Sequence, residues 1–143
     1  MGKILDNPLI KKLISLKFST SDYAVFGSGP MFAHRIKDLG HDIDIIARGS
    51  VWDKVRSLED PVRAETGTGY VVKLFSGELE IFNNWAPGMW DVDELIDTAE
   101  VFDGIRFVTL QNVIKWKELF GRDKDKEHVK MIREYLSSKK TTG

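Results

Sequence analysis

The stretch His41-Asp42-Ile43-Asp44-Ile45-Ile46-Ala47 constrains this chain more than any other, because apolar and charged side chains alternate along it. A period of two belongs to a β-strand, whose successive side chains point to opposite faces. Ile43, Ile45 and Ala47 are expected on one face and Asp42 and Asp44 on the other, so two carboxylates stand side by side. Upstream, Tyr23-Ala24-Val25-Phe26 reads as a short buried strand ending in the turn Gly27-Ser28-Gly29-Pro30. Pro30 suits the first turn of a helix, and Met31, Ala33 or His34, and Leu39 carry that helix to Gly40 as its stop.

The rest of the chain supplies the partners of these elements. Pro8 to Phe18 places Leu9, Leu13 and Leu16 at helical spacing behind a proline, which predicts a short amphipathic helix. Ser50 is the expected N-cap of a helix over Val51 to Leu58. Tyr70 to Phe75 and Glu78 to Phe82, joined by Ser76-Gly77, have the composition of an antiparallel hairpin, with Glu78 and Glu80 on one face. A loop over 83–88 leads to an acidic helix from Asp91 to Thr98. Val101-Phe102 and Ile105 to Val108, separated by Asp103-Gly104, predict a second tight hairpin. Two helices follow, Leu110 to Phe120 and Glu127 to Leu136, broken at Gly121. The tail from about 137 is expected to fray. Together these elements predict one α+β domain over 1–143, a small mixed, largely antiparallel sheet flanked by helices.

Composition narrows the chemistry. The 143 residues, 42% apolar and 30% charged, suffice for one core and leave little for a second. The chain has no cysteine, which removes thiol nucleophiles, Cys-based zinc sites and iron–sulfur clusters, and fits a reducing compartment. No apolar run approaches the ~20 residues that cross a bilayer, and the start lacks the apolar stretch of a secretory signal. A cytoplasmic protein with no membrane partner is expected. The net charge of −1 conceals an uneven layout: residues 1–17 carry four Lys and one acid, 115–140 nine Lys or Arg and five acids, and 18–114 eight basic and sixteen acidic residues. An acidic centre suits cations and basic ends suit an anion such as phosphate, although for the ends alone solvated helix faces are the plainer reading.

The glycine turn and the paired carboxylates complement each other chemically. Gly27 and Gly29 let the backbone pass close to a bulky anion, Ser28 offers a hydroxyl, and amides of the following helix point outward, together a seat for phosphate. Asp42 and Asp44 repel when both are ionised and unpaired, so a divalent cation is their natural partner. Oxygen ligands favour Mg²⁺ or Mn²⁺, and Mg²⁺ commonly bridges carboxylates and substrate phosphates. A phosphate seat beside a metal seat points to nucleotide chemistry.

This arrangement resembles the nucleotidyltransferase superfamily that shares the palm-like fold of DNA polymerase beta. Its pattern, an apolar residue, Gly-Ser, a helix, Asp-x-Asp on the next strand and a third carboxylate between apolar residues on a later strand, is met by Phe26, Gly27-Ser28, Asp42-Ile43-Asp44 and Leu79-Glu80-Ile81. Small members, including those related to abortive-infection toxins, add a helical Lys followed by Arg-x-Lys-Asp, which Lys117 and Arg122-Asp123-Lys124-Asp125 match. The resemblance touches residues 23 to 136. It implies that Asp42, Asp44 and Glu80 hold two Mg²⁺ ions as the catalytic and metal-binding residues, and that Gly27, Ser28, Lys117, Arg122 and Lys124 bind a nucleoside triphosphate. The implied reaction moves a nucleoside monophosphate to a hydroxyl of a small molecule, an RNA end or a protein, with release of pyrophosphate. Two departures stand out: Asp38-Leu39-Gly40 occupy the place of an Arg-x-Thr found in many relatives, and Glu80 replaces the commoner Asp.

Other readings compete. Glu78 shares the face of Glu80 and is an alternative ligand. His34, His41 and His128 lack metal-site spacing and read as surface or helix-face residues, with His41 notable beside Asp42. Trp52, Trp85, Trp90 and Trp116 read as core or loop anchors, while Trp85 and Trp90 bracket a loop that suits base stacking. Lys117, on the stripe of Val113 and Ile114, points inward, and snorkelling from the core edge explains it equally well. The missing Arg-x-Thr motivates an alternative function, a catalytically silent binding or antitoxin-like module on the same fold. Nucleic-acid binding by the basic ends is weaker, given the near-neutral total. The chain is short for an enzyme that binds a large acceptor unaided, which leaves a homodimer or protein partner as a way to complete the cleft.

Overall fold

The computed structural model describes residues Lys3–Ala86, Gly88 and Trp90–Thr142. Its strands are β1 (Tyr23–Val25), β2 (Ile43–Ala47), β3 (Val62–Arg63), β4 (Tyr70–Leu74), β5 (Leu79–Phe82), β6 (Glu100–Phe102) and β7 (Ile105–Phe107). Among the described residues they form one sheet in the order β3-β4-β5-β2-β1-β7-β6. β1–β2, β3–β4, β4–β5 and β6–β7 pair antiparallel, whereas β2–β5 and β1–β7 pair parallel. The helices are α1 (Lys3–Asp6), α2 (Pro8–Ser15), α3 (Gly29–Ala33), α4 (Gly49–Leu58), α5 (Val92–Asp97), α6 (Leu110–Phe120) and α7 (Asp123–Thr142). The fold is α+β, a mixed and mostly antiparallel sheet with helices on both faces.

The alternation read from the sequence sorts residues between two cores. Ile43, Ile45 and Ala47 of β2 join Leu79 and Ile81 of β5 beneath α2 and α4, where Leu9, Ile10, Leu13, Val51 and Val55 complete one cluster. The opposite face carries Ile46 with Ala24, Phe26 and Trp85, covered by Leu95 and Ile96 of α5, Leu110 and Val113 of α6, and Ile132 of α7. Each fully buried side chain of this size contributes roughly 1.5–3 kcal/mol, so both faces drive folding. The face that carries Asp44 is therefore not a solvated outer face. Its apolar cover stops short of Asp44 and leaves the carboxylates at the mouth of a gap between the sheet and α6–α7.

Several expected elements differ. The helix after the glycine turn ends at Ala33, not near Gly40, because Arg35 adopts φ +62°, a left-handed conformation that breaks the helix without glycine or proline to announce it. Ser50 is not the cap of α4: the helix starts at Gly49 after Arg48, and the Asp22 carboxylate accepts hydrogen bonds from the Ser50 backbone N–H and hydroxyl at 3.0 and 2.6 Å. β2 begins at Ile43, which leaves Asp42 just ahead of the strand. α7 starts at Asp123 and runs to Thr142, so 137–142 are helical where the sequence predicts a frayed tail. Among the described residues no helix is long and apolar enough to cross a membrane.

Candidate metal and nucleotide site

Parallel pairing of β2 and β5 sets Asp44 directly opposite Glu80, on the same face of the sheet. Asp42, just ahead of β2 and two residues before Asp44, brings its carboxylate to the same cluster. One carboxylate oxygen from each of Asp42, Asp44 and Glu80 lies within 4.8 Å of the others. Asp44 is half-buried and Asp42 exposed. Burial, reinforced by the charges of Asp42 and Glu80 and a hydrogen bond to Glu80, pushes the Asp44 carboxyl from 3.8 up to about 7. A dication would offset that repulsion, and three hard oxygen donors fit Mg²⁺ or Mn²⁺. Glu78 is drawn away from this cluster by an ion pair with Lys12. Lys73, cross-strand from Glu80, holds its Nζ 3.8 Å from that carboxylate and offsets part of its charge.

The glycine turn abuts the same cluster. Gly27 has φ +56°, and a Cβ built there would lie 2.6 Å from Asp44 Oδ2, so neither the conformation nor the space admits a side chain. The Phe26 N–H donates to the Asp44 carbonyl at 2.9 Å and ties the turn to β2. Ser28 precedes α3, but its hydroxyl makes no capping bond and lines the gap beside the carboxylates.

The cations come from the junction of α6 and α7. Gly121, left-handed at φ +65°, ends α6 and turns the chain into α7. The fully buried Asp125 gathers this junction: it accepts from Arg122 Nε at 2.6 Å, Arg122 Nη2 at 3.1 Å and the Arg122 backbone N–H at 3.2 Å. Lys117 Nζ stands 3.4 Å from Asp125 Oδ1, and the lysine is only 3% exposed. Burial lowers the Lys117 ammonium below its ordinary value, and the charge of Asp125 opposes that. For Asp125 burial works upward, but the Arg122 hydrogen bond and the Lys117 charge outweigh it and hold the carboxyl low. The sequence marks Asp125 only as the end of a motif, and sequence reasoning misses its part in positioning two cations.

Carboxylates, turn and cations face one cavity of about 370 Å³. Gly27, Ser28, Asp42, Asp44, Glu80, Lys117, Arg122 and Lys124 all line it, every site residue nominated from the sequence. Thr66, Phe82, Trp85, Ala86, Trp116, Phe120 and His128 line it too. Of these, sequence reasoning places Trp116 and His128 elsewhere; the helical spacing of Trp116 and Phe120 beside Lys117 is the signal that could have found the wall. Burial and the charges of Lys117 and Lys37 lower the His128 imidazole, which keeps it neutral at neutral pH. For Trp85 and Trp90 the reading as core or loop anchors holds, and the alternative of base stacking does not. Trp85 is 6% exposed, stacks on Phe26 at 4.4 Å and makes T-shaped contacts with Phe82 and Trp116, so little of its ring is open to a ligand. Trp90 donates to the Ala86 carbonyl, lies beneath Lys115, and is not among the residues lining the cavity. His41 and Asp38 also lie outside it.

Comparison with protein-family profiles, with curated proteins and with solved structures gives no match to this chain. The functional reading therefore stands on the cavity itself.

Proposed function

We propose that this chain is a metal-dependent nucleotidyltransferase, acting in the cytoplasm on a nucleoside triphosphate and an acceptor hydroxyl. The observation that carries the reading is the convergence of eight residues, nominated by motif from four separate stretches of sequence, on one cavity with acids and cations apart on different elements. Asp42, Asp44 and Glu80 would hold the Mg²⁺ or Mn²⁺. Bound there, the metal supplies charge neutralisation at the phosphates and lowers the pKa of an acceptor hydroxyl. Gly27 and Ser28 offer a backbone approach and a hydroxyl to the β- and γ-phosphates. Lys117 and Lys124 bring positive charge to the phosphate tail, with Lys117 held by Asp125. The acceptor oxygen forms the new bond to the α-phosphorus, pyrophosphate leaves, and the acceptor proton passes to solvent or to a carboxylate of the cluster.

Incubation of the purified protein with α-labelled nucleoside triphosphates, Mg²⁺ and cell extract tests the reading. Labelling of an acceptor that disappears in Asp44→Ala supports it, and equal labelling by that variant refutes it.

A catalytically silent binding module is the second reading. It is favoured by Asp38, which stands where relatives place the Arg of Arg-x-Thr and lies outside the cavity, so no phosphate contact comes from that segment. Calorimetry with no Mg²⁺–nucleotide binding, together with a stably copurifying protein, would favour it over transfer.

A further inference from the structure

We infer that Arg122 is the platform on which the base of the donor nucleotide stacks, not a ligand of its phosphates; this rests on the nucleotidyl-transfer reading above. The guanidinium is held on two sides. Its Nε and Nη2 are both engaged by the buried Asp125, at 2.6 and 3.1 Å. Its Cζ lies over the Phe120 ring, 5.1 Å from the centroid. The side chain is nonetheless 46% exposed and lines the cavity, so what it offers a ligand is the face turned away from Phe120 and the outer Nη1 edge. The Nε–Nη2 edge of the guanidinium is spent on the carboxylate, which leaves a phosphate only the Nη1 end, while one face of the group stays open. A planar cation clamped at its edge and backed by an aromatic ring is instead a rigid stacking surface, favourable to any base.

The rest of the cavity agrees with this division. Trp85 lines the cavity but is packed against Phe26, Phe82 and Trp116 and only 6% exposed, so it offers a base far less surface than the 46%-exposed Arg122. Phe120 and Trp116 sit one helical turn apart on α6, rings 6.0 Å apart, and continue the wall on which Arg122 rests. The phosphate charge is then left to Lys117, Lys124 and the metal. The ligand class that fits is a nucleoside triphosphate recognised through the plane of its base, with purines ahead of pyrimidines because their rings cover more of the platform.

The test compares binding of inorganic tripolyphosphate, which has no base, with ATP, GTP, CTP and UTP by calorimetry in Mg²⁺, for the wild type, Arg122→Lys and Phe120→Leu. The wild type is expected to bind the preferred nucleotide on the order of tenfold or more tighter than tripolyphosphate, the range that one base–platform contact supplies. Both variants are expected to shrink that ratio to about threefold or less, with tripolyphosphate affinity held within about twofold. Equal binding of tripolyphosphate and nucleotide by the wild type overturns the proposal without any variant. It is also overturned if Arg122→Lys keeps full nucleotide affinity, or weakens both ligands in proportion as loss of a phosphate ligand would. Failure of the wild type to bind either ligand removes the nucleotidyl-transfer reading itself and the platform with it.

Discussion

A Cβ on residue 27 would stand 2.6 Å from Asp44 Oδ2, so the glycine of the turn and the central carboxylate of the acid cluster share one boundary. Gly27→Ala therefore brings two faults together, a side chain at φ +56° and a collision with the carboxylate. The expected cost is about 1–3 kcal/mol of stability, with Mn²⁺ affinity falling roughly tenfold or more as Asp44 is displaced. Gly40→Ala is the control: a Cβ there would meet no heavy atom within 4 Å and the φ is ordinary, so stability should stay within about 0.5 kcal/mol. Thermal unfolding and metal titration of the two variants check this, and equal behaviour would show that the contact carries no weight.

The metal-free chain should lose stability as pH rises. Asp44 is raised from 3.8 to about 7, chiefly by burial and then by Asp42 and Glu80, so the folded state holds this proton more tightly than the unfolded state does. Stability from this group is then full below about pH 4, declines up to about pH 7 and is level above, by an amount of order a few kcal/mol. In EDTA the wild type should melt higher at about pH 5.5 than at pH 8, and Asp44→Asn should remove most of that difference. Mn²⁺ should raise the wild-type melting temperature at pH 8 and leave that of Asp44→Asn unchanged. An Asp44→Asn variant with the wild-type pH slope would refute the assignment.

Removing Asp125 should damage the chain more than removing either cation it serves. Asp125→Ala leaves Lys117 buried with no anion and frees the Arg122 side chain, at an expected cost of about 3–5 kcal/mol. Lys117→Met leaves Asp125 paired with Arg122 and should cost less. The double variant should recover part of the loss, because the stranded charge is gone, and a denaturant double-mutant cycle measures the coupling. Simple additivity would mean that the 3.4 Å contact is incidental.

How far the sequence predicts this site depends on which forces act locally. Asp44 and Glu80 are legible because strand alternation aims each of them, Asp42 because it keeps the same two-residue spacing just ahead of β2, and Gly27-Ser28 because the glycine turn is a local signal. The parallel pairing of β2 with β5 that makes neighbours of Asp44 and Glu80 is a long-range choice with no local mark. The end of α3 is illegible for the opposite reason: Arg35 takes a left-handed conformation that its residue type does not favour, and the chain packs Ile36 and Leu39 against different clusters instead of continuing the helix. Phe120 and Trp116 of α6 and His128 of α7 meet in the cavity through the packing of the two helices on either side of Gly121, a long-range arrangement with no local mark. The tryptophans are legible as anchors: burial of Trp85 among other rings removes more apolar area from water than exposure as a stacking surface would.

The cap of α4 offers a last test, remote from the cavity. Asp22 reaches across from the turn before β1 and accepts both the backbone N–H and the hydroxyl of Ser50, a part the sequence assigns to Ser50 itself. Those hydrogen bonds, with a smaller share from Arg48, lower the Asp22 carboxyl, so its contribution is present above its ordinary value of 3.8 and is lost as pH falls through the lower folded value. Asp22→Ala should cost about 1 kcal/mol at neutral pH, as loss of an N-cap acceptor does, while Ser50→Ala forfeits one of the two hydrogen bonds and should cost less. Nucleotide and Mn²⁺ affinities should stay within about twofold in both variants, since neither residue lines the cavity. If Ser50→Ala proves the more damaging of the two in denaturant titrations, the cap belongs to the serine, and Asp22 is a bystander.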